Sequence, residues 1–210
     1  QLGLIHPDEN TAKRAIEAGA LRPSALFIPR PEEYFDTVDG ARFAKTIDSV
    51  CERAKARYPV AKLELADPRT IGFARTIPSL FLQLDKAGQG AKFDPPYKLE
   101  NFGLIANTLQ AANCGITLDP TALTTDMGKV FYFARIFERV LAILAPKTLF
   151  QSVYYHPVGM GWVLACRRLN ITTVDVQHGR LGPHEGHYTQ LTAAPLATGA
   201  AVLVVVGVLA

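Results

Sequence analysis

The sequence predicts an α/β domain built on a mainly parallel sheet, and three observations carry that prediction. The chain has 210 residues, length enough for one large α/β domain with a buried core. Short apolar or β-branched runs alternate with longer runs whose apolar residues recur at helical spacing. The stretch 147–176 reads strand, helix, strand, at the length of a βαβ unit, so its two strands are expected to be parallel neighbours. We read 1–210 as a single domain.

In chain order, 8–18 reads as a helix, with acidic residues first and Gly19 as its stop. Ser24-Ala25-Leu26-Phe27-Ile28 is a short apolar run closed by Pro29 and Pro31, hence a strand. Residues 35–40 read as a turn, with Asp39-Gly40 a good turn pair. Over 41–57, Phe43, Ala44, Ile47, Val50, Cys51 and Ala54 recur at helical spacing. Arg42, Lys45, Asp48, Glu52 and Lys55 lie between them, which makes an amphipathic helix with a charged outer side. Pro59 ends it, and 60–65 reads as a strand.

The span 67–99 is broken by Pro68, Pro78, Gly88, Gly90, Pro95 and Pro96, and is expected to be an insertion with a short helix over 77–84. A helix over 101–112 is stopped by Asn113 and Gly115. Thr124-Thr125-Asp126 reads as the start of a long, apolar, deeply buried helix that Pro146 stops. A strand over 148–153 follows, then a helix over 158–169 with Arg167 and Arg168 in the last turn, where cations suit the helix dipole. Asn170 is the expected C-cap, and 171–176 is a β-branched strand. The tail 191–210 carries no charge, long enough to span a bilayer. Pro195, Gly199 and the β-branched run 202–208 favour a buried strand over a membrane segment.

A net charge of +3 is too small to point to nucleic acid, which wants a clustered basic face. The three cysteines, Cys51, Cys114 and Cys166, are far apart and form no C-x-x-C pair, which fits a reducing, cytoplasmic setting without disulfides. The N-terminus lacks the basic-then-apolar order of a signal peptide. It also lacks an initiator Met, so the chain is expected to be a piece of a longer protein.

Four of the five histidines lie between His156 and His187. In open α/β sheets ligands bind outside the carboxyl ends of the strands. One strand runs into Tyr154-Tyr155-His156 and the next into Gln177-His178-Gly179, so both polar clusters are expected on one edge. Gly179 lets the backbone turn sharply or a ligand come close. A His with a pKa near neutrality takes a proton from a hydroxyl. Asp175 falls on the strand face opposite Val174 and Val176, which leaves its role open. Each of these has a plainer reading: His156 before Pro157 shapes a turn, a lone His at a strand end is a surface group, and the two tyrosines are packing. His184-x-x-His187 lies in a Gly/Pro loop without tetrahedral spacing, so no metal is assigned, although bound zinc is a rival reading. Gly159-Met160-Gly161 lacks the third glycine of a dinucleotide fingerprint, but the helix start there is a place for a phosphate. No serine sits in a Gly-x-Ser-x-Gly elbow.

The run Leu141-Ala142-Ile143-Leu144-Ala145-Pro146-Lys147, then Phe150 and Tyr154-Tyr155, then 165–179 ending in Gln177-His178-Gly179, resembles a segment of bacterial surface-polysaccharide glycosyltransferases of the capsular and lipopolysaccharide type. Gly182-Pro183-His184 and Tyr188 are similar to the loop that follows in that group. The resemblance covers roughly 130–207, and the aliphatic tail departs from it. It implies a Rossmann-like three-layer domain, the N-terminal, acceptor-side half of a GT-B fold, with the C-terminal nucleotide-sugar-binding domain absent from this chain. It implies His178 as the catalytic base or a transition-state contact, framed by Gln177 and Gly179; His156, Tyr155 and His184 are the candidate further substrate contacts. Nucleotide sugar and glycan acceptor are then the partners, with no cofactor, no nucleic acid, and a place at the inner face of the membrane. The rival is a non-enzymatic Rossmann-like binding module attached to a membrane through 191–210.

Overall fold

A computed structural model describes residues 4–5, 22–34, 36–38, 41–65, 79–82, 84, 100–112, 115, 117, 119–176 and 203–205. The strands are β1 (Leu4–Ile5), β2 (Ala25–Ile28), β3 (Asp36–Val38), β4 (Ala41–Phe43), β5 (Val60–Glu64), β6 (Ser79–Leu82), β7 (Thr148–Gln151), β8 (Thr172–Val176) and β9 (Leu203–Val205). The helices are α1 (Lys45–Lys55), α2 (Phe102–Ala111), α3 (Pro120–Leu144) and α4 (Pro157–Arg168), with a 3-10 turn at Pro31–Glu33.

Seven strands make one sheet in the order β1-β6-β5-β2-β7-β8-β9, and β3 and β4 form a separate antiparallel ribbon. Within the large sheet only β1 is antiparallel to its neighbour, β6. Counted along the chain, the parallel strands therefore lie third, second, first, fourth, fifth, sixth. That is the doubly wound, Rossmann-like order, and it reverses between β2 and β7.

The sheet's central strands β2, β5 and β6 are buried along their whole length, and β2 and β6 accordingly read as short, nearly continuous apolar runs. On one face Leu26, Ile28, Leu63, Leu80, Leu82 and Leu149 pack against α3 and α4. On the other, Ala25, Phe27, Val60 and Val176 pack against Ile47 and Cys51 of α1. Phe27 and Phe150 stack across the central strand pair with ring centroids 4.5 Å apart.

The two helices on the first face meet closely. Phe137 and Trp162 stack with centroids 3.6 Å apart. A Cβ on Gly161 would lie 2.7 Å from Phe133 Cβ and 3.2 Å from the Ala134 nitrogen, so this glycine is what lets α4 approach α3. A Cβ on Gly159 would collide with the Val153 carbonyl and lie 2.8 Å from Tyr154 Cα, so this glycine seats the first turn of α4 against the end of β7. The Gly-x-Gly pair is thus a packing feature.

Several expectations need correction. Within 77–84, where a short helix was expected, Ser79–Leu82 form a buried parallel strand, β6: a four-residue apolar run has no periodicity to separate the two. The turn expected over 35–40 contains strand β3 at 36–38, which pairs with 41–43 to make the ribbon, so helix α1 starts only at Lys45. Helix α3 starts a turn before Thr124: Asp119 accepts a hydrogen bond from the Thr121 N–H at 2.8 Å, and Pro120 occupies the first helical position. Its first turns are exposed, and only the part from Gly128 onward enters the core. Leu169 is the C-cap of α4, and Asn170 follows it in the left-handed region at φ 56°. In the tail, 203–205 form β9, paired with β8, so this part is sheet and not membrane span. Among the described residues no helix is long and apolar enough to cross a membrane. The helix expected at 8–18 lies outside the described residues, as does Cys114.

Gly159→Ala should lower stability by about 1–3 kcal/mol or more, because the obstructing atoms are backbone. Gly103→Ala, in α2 with nothing within 4 Å of the new methyl, should be neutral or stabilising by up to ~1 kcal/mol. Urea midpoints of the two variants check the contrast.

Candidate ligand-binding rim

The carboxyl edge of the sheet at the β2–β7 reversal is where a doubly wound fold takes a ligand. Register fixes what stands there. Ile28 pairs with Gln151, so Pro29 and Arg30 leave β2 beside Ser152 and Val153 leaving β7. Gln151 in turn pairs with Asp175 of β8. Leu149 and Gln151 point to the α3–α4 side, so Asp175 does too, opposite Val176, as alternation implied. Asp175 is buried.

His156 is the N-cap of α4: its Nδ1 accepts a hydrogen bond from the Gly159 N–H at 3.2 Å. A neutral ring that accepts at Nδ1 carries its proton on Nε2. Burial holds the imidazole below its usual 6.5, and the Arg30 guanidinium lowers it further against the opposing pull of Glu32. His156 is therefore a neutral cap that can donate from Nε2. Its lone pair is engaged, so it is a ligand contact at most and not a base. The same bond occupies the Gly159 N–H, one of the first-turn amides that a phosphate at this helix start would use.

Tyr154 and Tyr155 stand edge to face with centroids 5.8 Å apart, and Tyr155 is 38% exposed. Burial raises the Tyr154 phenol, and the Asp175 carboxylate raises it further. Arg30 pairs with Glu32 at 3.3 Å on the neighbouring side. Gln177, His178, Gly179 and His184 lie outside the described residues. No group able to hold a metal ion occurs among the described residues.

The sequence reading missed a second constellation beside this rim. Lys62 is 1% exposed, and its ammonium lies 2.7 Å from Asp48 Oδ1 and 3.3 Å from Glu64 Oε1. The Tyr34 hydroxyl donates to Glu64 Oε1, and the Lys62 ammonium lies 5.2 Å from the Tyr34 ring centroid. Asp48 Oδ2 accepts from the Ala44 N–H at 2.9 Å. Burial raises Glu64, against Lys62 and the tyrosine hydroxyl, which hold it down. Burial, Glu64 and Asp48 raise Tyr34 strongly. Asp48 was expected on the outer side of α1 and is instead fully buried on its inner side. A signal was present: Lys62 and Glu64 alternate with Ala61 and Leu63 in a strand, so both charges must face one helix. Cys51 and Cys166 are buried free thiols, each pushed up to about 12 chiefly by burial, and are inert packing.

No protein-family model, no curated protein and no solved structure matches the chain.

The lowered His156 predicts a pH dependence with a definite sign. Its folded-state value lies below its unfolded one, so the contribution is full above the unfolded value near 6.5 and is lost as pH falls towards the folded value. His156→Asn keeps a good cap without a titrating ring. It should match the parent protein at pH 7.5 and abolish that part of the acid-side loss, whereas His156→Ala should cost about 0.5–2 kcal/mol at pH 7.5. Denaturation at several pH values checks both. Lys62→Met strands two buried carboxylates and should cost about 3–5 kcal/mol, measured in the same way.

Proposed function

We propose that this chain is the acceptor-side, Rossmann-like domain of a GT-B-type glycosyltransferase. The enzyme moves a sugar from a nucleotide-activated donor to a growing cell-surface polysaccharide, on the cytoplasmic side of the membrane. The observation that carries the reading is the adjacency of β7 and β8 as parallel strands. Tyr154, Tyr155 and His156 follow β7, and in the sequence Gln177-His178-Gly179 come directly after Val176, the last residue of β8. The resemblance of 141–179 to surface-polysaccharide glycosyltransferases supports it from the sequence side.

In this reading the acceptor sugar lies along the rim, with the exposed face of Tyr155 beneath it. Tyrosine suits a sugar because it offers an apolar face and a polar tip. His178 takes the proton from the acceptor hydroxyl as that oxygen attacks the anomeric carbon, and the nucleoside phosphate leaves with the bonding electron pair. His156 donates from Nε2 and orients a sugar or phosphate oxygen. The donor is held mainly by a second Rossmann-like domain, which the proposal requires across the cleft.

The test is turnover of nucleotide-sugar donors by the enzyme carrying both domains. His178→Ala should lower kcat by roughly 10²–10⁴-fold, the range of general-base catalysis, with donor KM nearly unchanged. Unchanged turnover in that variant would remove the base assignment. If no nucleotide sugar is consumed by the parent enzyme, the transferase reading itself falls.

A further inference from the structure

The connection from β2 to α1 is not the tight glycine turn of a dinucleotide-binding fold. It leaves the rim at Pro29, passes through the 3-10 turn, carries the β3–β4 ribbon and returns to α1 at Ala44. A ribbon inserted at the carboxyl end of the first parallel strand lies at the mouth of the crevice by connectivity alone. Both stems of this excursion end on one buried cluster. The outgoing stem is held by Tyr34, 7% exposed, whose hydroxyl donates to Glu64. The returning stem is held by Asp48, which accepts from the Ala44 N–H and pairs with Lys62. Lys62 joins the two, bonded to Asp48 and Glu64 at once and lying over the Tyr34 ring.

We propose that Tyr34, Asp48, Lys62 and Glu64 form a positioning bracket that clamps a rim flap, made of the 3-10 turn and the β3–β4 ribbon, and thereby holds Arg30 beside the His156 cap at the crevice mouth. Charges are used because their geometry is exacting: one ammonium satisfies two carboxylates only in one arrangement, whereas an apolar plug tolerates several. Tyr34 on the outgoing stem and Ala44 on the returning one form a small buried cluster apart from both main cores. The order of the flap then depends on the bracket. The proposal concerns how the rim is held and stands whether or not the ligand is a sugar.

Amide hydrogen exchange on the chain as it stands tests this. Tyr34→Phe keeps the ring over Lys62 and removes only the hydroxyl bonded to Glu64. Losing a buried hydrogen bond to a charged group should open the flap roughly tenfold or more often, read as faster exchange at 32–34, 36–38 and 41–44. Amides of β7 and β8 should exchange as before. The second readout is the titration of His156 by NMR. The charges that act on this ring are those of Arg30, which lowers it, and Glu32, which raises it, and the Gly159 N–H donates to its Nδ1. Arg30→Gln should let His156 rise towards its ordinary value, and Tyr34→Phe should move it the same way. The proposal is overturned if exchange in Tyr34→Phe stays at the parent level, or rises uniformly through the sheet. It is overturned equally if His156 titrates unchanged in either variant.

Discussion

Strand β2 is hydrogen-bonded to β5 on one side and to β7 on the other, and the order in which the chain adds strands reverses there. Two parallel neighbours whose following segments diverge to opposite faces leave a crevice between their carboxyl ends. Helix α1 goes to one face and α3 with α4 to the other. The pairing also fixes chemistry. It sets Ile28 against Gln151, hence Arg30 near the segment that ends in His156, and β8 then brings Asp175 beside Gln151. The Phe27–Phe150 stack fills the seam of that pair on the α1 face.

The rim is made rigid in two different ways on its two sides. On the α4 side the devices are steric: Gly159 and Gly161 remove side chains where backbones meet, and His156 closes the helix start. On the α1 side the device is electrostatic, a lysine buried among two carboxylates and a tyrosine hydroxyl. Such a cluster adds little net stability compared with an apolar core, since each charge loses its hydration. What it adds is a unique geometry for the segment that leaves β2. A fold that only needed stability would have placed apolar residues at 48, 62 and 64.

Much of the fold was legible because the physical signals were local. The βαβ unit from β7 to β8 follows from an apolar run, a helix closed by Arg167 and Arg168, and a β-branched strand. Helix α1 follows from its spacing, although its start did not: Arg42 and Phe43 fit a helical face as well as they fit the ribbon. Strand β6 was illegible because Ser79-Leu80-Phe81-Leu82 is too short to carry a period and its identity comes from β5 alongside. The start of α3 was misread because Thr124-Thr125-Asp126 imitates a cap, while Asp119 and Pro120 are the pair that acts. Within the site, Tyr155 and His156 were visible as a polar cluster after a strand, and Asp175 by alternation. Arg30 and the Lys62 bracket were not, because they come together only through the sheet order. A charged residue in an amphipathic helix is assumed to face water until a buried partner is known, and Asp48 has its partner in a strand fourteen residues on.

The most direct test of the account is the identity of the strand beside β2. Cross-strand NOEs in the folded protein should connect the Phe27 and Phe150 rings and run in parallel register from Ala25–Thr148 to Ile28–Gln151. Contacts from β2 to β8 in place of β7, or an antiparallel set between β2 and β7, would contradict the account, because Arg30, His156 and Asp175 would then share no edge.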